Sequence, residues 1–104
     1  MSKIRWLPRA RDDLKQIRAF IARDSKINAR RWIAEIRRTA ESLCLFPEAG
    51  SLVNEFPSAG LRETFLGSYR IIYRIRGNEA QILRVIHGAR RLPGRLEELE
   101  DGSA

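Results

Sequence analysis

Seventeen arginines and one histidine are the side chains with the most chemistry in this 104-residue chain, whose 20 basic residues include only three lysines, Lys3, Lys15 and Lys26. A guanidinium forks onto phosphate or carboxylate with two parallel hydrogen bonds, whereas lysine acts as a point charge. With 13 acidic residues the formal net charge is +7. This balance implies an anionic partner, either nucleic acid or an acidic protein. The charge is uneven. Residues 62–95 carry 8 arginines against Glu63 and Glu79, while residues 96–104 carry only acids: Glu97, Glu98, Glu100 and Asp101. His87 lies in the basic segment, close to Arg90 and Arg91. An imidazole there could move a proton beside two cations, although an isolated histidine at a strand end more often serves structure.

Other chemistries are poorly represented. One cysteine, Cys44, excludes an internal disulfide and any cysteine-cluster metal site. Between Leu43 and Leu45 it reads as a small core residue. Asp12-Asp13 reads as complementation of a helix dipole, not as a catalytic carboxylate pair. No metal or cofactor is expected. The start has no apolar leader segment and no apolar run is long enough to span a membrane, so a cytoplasmic protein without membrane contact is expected.

The elements that must position these residues follow from periodicity. Ile4 and Trp6 mark a short first strand. Pro8 opens a helix in which Ala10, Leu14, Ile17 and Ile21 recur at helical spacing. Asp24 or Ser25 caps a second helix, with Ala29, Trp32, Ile33, Ile36, Ala40 and Leu43 on one face and a stop before Pro47. Trp32 reads as a core or helix-interface residue, and Arg30-Arg31 and Arg37-Arg38 as the wet face. Residues 47–60, with two prolines and two glycines, read as a loop. A three-strand meander follows: Leu61–Leu66, Tyr69–Arg76 and Glu79–His87, with Gly67-Ser68 and Gly77-Asn78 as two-residue turns. The fold class is α+β in the order β-α-α-β-β-β. An N-terminal strand and a helix hairpin pack on one face of a mostly antiparallel sheet. Residues 1–95 form one domain and 96–104 an acidic tail, in which Leu96 and Leu99 suit either a short helix or a frayed end.

Register refines the picture. With Gly77-Asn78 as the turn, Arg76 pairs Glu79 and Arg70 pairs Val85. Alternation then places Tyr69, Ile71, Tyr73, Ile75, Ile82 and Ile86 on the core face, together with Arg84. Arg70, Ile72, Arg74, Gln81, Leu83, Val85 and His87 fall on the other face, with Arg90 and Arg91 just beyond its end. On this register Arg70 and His87 share a face near the same end of the sheet, and a slip of one residue would separate them. Ile72, Leu83 and Val85 would form an exposed apolar strip among arginines, a surface for another chain to cover.

The run Gly67-Ser68-Tyr69-Arg70-Ile71-Ile72-Tyr73-Arg74-Ile75, followed by Ile82-Leu83-Arg84-Val85-Ile86-His87-Gly88-Ala89-Arg90-Arg91, resembles the C-terminal half of RelE/ParE-type toxins. Trp6-Leu7-Pro8-Arg9-Ala10 ahead of Asp13-Leu14, and Phe46-Pro47-Glu48 after the second helix, are similar to the N-terminal half. The likeness runs from about residue 4 to residue 93. It implies the toxin of a type II toxin–antitoxin pair, neutralised by a small cognate antitoxin. Dimerisation within that complex is compatible with the sequence without being indicated by it.

RelE-like members cut mRNA on the ribosome; ParE-like members inhibit DNA gyrase. The resemblance places Arg70 and Arg90 where the nucleases hold the scissile phosphate, and His87 where some carry a catalytic histidine. Such a trio would make a metal-independent endoribonuclease. The late tyrosine and lysine-rich loop of the nucleases have no counterpart here. The wording is closer to the ParE-like branch, which implies a gyrase inhibitor that is not an enzyme. Under either reading Arg70, Ile72, Arg74, Leu83, Val85, Arg90 and Arg91 are the residues expected to meet a target or the antitoxin.

Overall fold

The computed structural model describes residues 3–88 and 90–101. Ala89 and residues 102–104 of the expected acidic tail therefore lie outside the described residues. The chain runs β1 (Lys3–Trp6), α1 (Pro8–Ala22), α2 (Lys26–Ser42), β2 (Ser51–Leu52), β3 (Arg62–Leu66), β4 (Tyr69–Arg76), β5 (Glu79–His87) and α3 (Leu96–Asp101). The strands form one sheet in the order β1-β5-β4-β3-β2. β1 lies parallel to β5, and every other pairing is antiparallel. The architecture is thus α+β, as the sequence predicts.

Local chemistry accounts for the element ends. Pro8 occupies the first turn of α1, where its missing N–H costs nothing. Ser25 caps α2, its Oγ accepting from the Asn28 N–H at 3.1 Å. Gly67 and Gly77 take positive φ at the first central position of their turns, and among the described residues only glycines take positive φ. That is the pattern of a II′ hairpin. The two-residue strand β2 falls inside the predicted loop. It is too short to leave a periodic signal.

The hairpin of α1 and α2 covers one face of the sheet. Ala10 and Leu14 of α1 meet Ile33, Ile36 and Ala40 of α2 over Ile71, Tyr73, Ile82 and Val85. Tyr73 is fully buried. Its hydroxyl donates to the Pro47 carbonyl at 2.9 Å and accepts from the Gly50 N–H at 3.0 Å. Burial pushes the phenol pKa up. A Cβ at Gly50 would stand 2.5 Å from the Glu63 carbonyl oxygen, so only glycine fits where this loop crosses the sheet. Cys44 is only half-buried, and burial, with Glu41 nearby, pushes its thiol pKa up.

The expected register fails at one point. Arg76 pairs Glu79 and Tyr73 pairs Ile82 as predicted, but then Ile72 pairs Arg84 and Arg70 pairs Ile86. β5 carries one residue more than β4 across this bulge. Arg84 keeps the helix side, and beyond it the side chains of β5 change face. Val85 turns to the helix side and joins the first core, while Ile86 turns to the opposite side. Arg70 and His87 therefore do not share a face, against expectation.

The opposite face is not bare either. Ile72, Leu83 and Ile86 pack with Val53 and Leu61 of the β2–β3 region and with Leu99 of α3, all buried. Half-buried Leu7, Phe56, Leu92 and Leu96 complete this second core. The predicted exposed strip of Ile72, Leu83 and Val85 does not exist. Two of its members are covered by the chain itself and the third faces the helices. Leu99→Ala should accordingly cost about 2 kcal/mol, the low end for a buried leucine at a chain end that can fray. Urea denaturation would measure it, and a loss below about 0.5 kcal/mol would mean that α3 contributes little to this core.

Candidate functional site

Three arginines of β4 and β5 are engaged within the fold, while Arg76 at the end of β4 is exposed. Arg70 of β4 has a side chain only 8% exposed. Its Nε donates to Glu63 Oε1. Its two terminal nitrogens fork onto Glu55, at 3.0 and 2.8 Å. The guanidinium hydrogen bonds hold the Glu55 carboxyl below its usual pKa, partly opposed by burial. The same contacts, with Glu55 first, raise the Arg70 pKa. Arg74 donates from Nε to Gln81 Oε1 at 2.8 Å and pairs with Glu100 of α3.

Arg84 shows the same principle on the helix side. With a side chain 4% exposed it reaches Asp13 of α1, itself 5% exposed. Arg84 Nε donates to Oδ2 at 2.7 Å and a terminal nitrogen to Oδ1 at 3.1 Å. Oδ2 also accepts from the Val85 N–H at 2.9 Å. β1 has already ended opposite Ile82 at this level, so a helix carboxylate meets β5 where no β1 residue does.

His87 is exposed on the helix side of the sheet. Its ring meets Tyr69 edge-on, with centroids 6.0 Å apart, and Tyr69 meets Trp32 in the same way at 5.6 Å. The chain then turns, with the Arg90 N–H donating to the His87 carbonyl at 2.9 Å. Arg90 and Arg91 are exposed. His87 and Arg90 line an open hollow with Gln16, Ile17 and Phe20 of α1 and with Tyr69. Phe20 is 66% exposed there.

Of the residues picked out from sequence, His87 and Arg90 are therefore brought together. Arg70 and Arg74 stand on the opposite face, each held by carboxylates. Ile72 and Leu83 are interior, and Val85 lies beneath the hollow. Sequence reasoning missed Asp13, Glu55 and Glu63. Asp13 had a signal: it stands with Ala10, Leu14 and Ile17 on the buried stripe of α1, where an acid needs a buried partner. Arg84, placed on the core face by alternation, was that partner. Glu55 sits in an irregular loop and left no pattern to read.

His87 and Arg90 offer one imidazole and one free-standing guanidinium beside apolar surface, a mixture suited to a protein partner. Arg70 already has its fork filled by carboxylates. Among the described residues no cluster of three His, Cys, Asp or Glu side chains could hold a metal ion. No helix among them is long and apolar enough to cross a membrane.

Comparison with known proteins agrees with this architecture. Residues 4–92 match the family model described as the ParE toxin of the type II toxin-antitoxin system, parDE. The chain is 34% identical over 91 residues to Toxin RelE2 of Caulobacter vibrioides (strain ATCC 19089 / CIP 103742 / CB 15), covering 86% of this chain and 99% of that protein. It is also similar to a solved chain of the chromosomal ParDE TA system from P. aeruginosa. The TM-score there is 0.71 at 23% identity, over 84% of this chain and 96% of that one. At that identity the likeness is one of fold. The family match and the curated relative carry the assignment: this chain belongs to the ParE toxin family of type II toxin–antitoxin systems.

Proposed function

We propose that this toxin arrests growth by disabling DNA gyrase, and that a cognate antitoxin neutralises it in the cytoplasm. One observation carries the choice of target. Arg70, the arginine a nuclease of this fold would lay on the scissile phosphate, is forked onto Glu55 and bonded to Glu63, on the sheet face away from His87. A phosphodiester approaching it would meet two carboxylates first, and like charge in a buried site opposes that approach. His87 and Arg90, beside Phe20 and Ile17, fit contact with a protein better than phosphoryl chemistry. The toxin is then an inhibitor and not an enzyme.

Purified toxin should block gyrase supercoiling in a dose-dependent way, or trap cleaved DNA, and Arg90→Ala should weaken this about tenfold or more. A gyrase that supercoils normally in excess toxin would refute the proposal.

The runner-up is a ribosome-dependent mRNA endonuclease, favoured by one fact: His87 and Arg90 do share a hollow. Primer extension on mRNA from translating extracts separates the two. Codon-phased cuts with unaffected gyrase would establish the nuclease.

A further inference from the structure

The outer side of the helix hairpin carries cations that nothing in the fold neutralises. Arg11, Lys15 and Arg18 recur at helical spacing on α1 and are exposed, spread over about 10 Å of its length. Lys15 and Arg18 line one shallow hollow with Ala19 and Ala22. A second hollow is bounded by Arg11 of α1, Arg37 of α2 and Ile4, Arg5 and Trp6 of β1. Among the described residues no acidic side chain lines either. Among the described residues, none of Arg5, Arg11, Lys15, Arg18 and Arg37 takes part in an ion pair or a side-chain hydrogen bond. Asp12, the acid beside this stripe, is taken up by Arg9 and Gln16.

We propose that this hairpin face binds the backbone of double-stranded DNA, without sequence preference. The contrast with the inward-facing arginines of the sheet is the first reason: Arg70, Arg74 and Arg84 all have carboxylate partners, whereas Arg5, Arg11, Lys15, Arg18 and Arg37 have none and gather about the hairpin. The second is the lack of an apolar anchor. Among the described residues the large exposed hydrophobic side chains are Phe20, Ile27, Leu45, Phe46, Leu52, Phe65 and Ile75, and none lines these hollows. A protein partner would want such a centre; phosphates do not. The third concerns the type of nucleic acid. Trp6 is half-buried against the core and is the one ring that lines either hollow among the described residues, so a succession of stacking platforms such as single strands use is missing. Among the described residues Ser, Thr, Asn and Gln are absent from both hollows, which leaves little to read ribose hydroxyls. The inference holds whichever target the toxin disables.

The test is a salt series of fluorescence anisotropy on the full chain with a short random-sequence DNA duplex. Five cations should give a log–log salt slope of about −4. Arg11→Gln with Arg37→Gln should lower that slope by about 2 and weaken binding at least about tenfold near 0.1 M salt. Arg76→Gln with Arg91→Gln removes the same charge elsewhere and should change binding less than about threefold. All four substitutions are at exposed positions, and overlapping melting curves verify the fold. Equal weakening by both double variants would make the effect one of net charge and overturn the proposal. So would no detectable binding near 0.1 M salt, or tighter binding to a single strand, an RNA duplex or polyglutamate.

Discussion

Asp13→Ala should be the most damaging single substitution in this chain, at about 3 kcal/mol or more. It strips the fork from Arg84 and leaves a guanidinium 4% exposed with no counter-charge. It also removes the acceptor of the Val85 N–H. A domain of this size has total stability of order 5–15 kcal/mol, so the variant would sit near the threshold of folding. Its melting temperature should fall by roughly 12 °C or more, read by circular dichroism. Arg84→Ala should cost a similar amount, since it strands the carboxylate instead. Asp13→Leu with Arg84→Met should recover most of the loss, because apolar groups of similar volume need no partner. Two single variants melting within about 2 °C of the parent would show that the pair contributes little and that water reaches it freely.

Arg70→Ala comes next, at about 3 kcal/mol near neutral pH, for it leaves Glu63 buried and Glu55 beside it. Glu55 is the more exposed of the two, so its share is the smaller. This loss should depend on pH with a defined sign. The Arg70 fork holds the Glu55 carboxyl below its unfolded value. Its stabilisation is therefore complete above that unfolded value and disappears as pH falls through the folded one. The gap between parent and variant should be widest near pH 7 and narrow below about pH 4. Urea titrations at several pH values would measure it, and a gap that widened in acid would contradict the assigned pair. At a temperature where the variant is folded, inhibition of supercoiling should persist, because Arg70 lies inside the fold and not on the hollow that carries His87 and Arg90.

The element order was legible because each element announces itself within a few residues. Pro8, Ser25, Gly67 and Gly77 stand where helix and turn geometry require them, and the apolar spacing of Ala29, Ile33, Ile36 and Ala40 marks a buried face. The site was far less legible, for two physical reasons. Face assignment along β5 rests on counting by twos, and one unpaired residue near Leu83 reverses the faces from Val85 onward. That single step took Val85 and Ile86 to the wrong sides and joined Arg70 to His87 on paper. The second reason is distance along the chain. Glu55 is 15 residues from Arg70, and Asp13 is 71 from Arg84. No local pattern links such partners. Only an arginine on a core face, or an aspartate on an apolar helix stripe, hints that one must exist.

The bulge in β5 has a consequence for descent as well as for packing. Which residues meet on one face of this sheet is a matter of parity. Loss of one codon between Ile82 and Val85 would restore the even count and swing His87 across to the face of Arg70, leaving the composition almost untouched. Two lineages with near-identical residues could in this way present an arginine–histidine pair or keep the two apart. Aligning relatives by residue type alone would hide the difference; the length of one hairpin arm would reveal it.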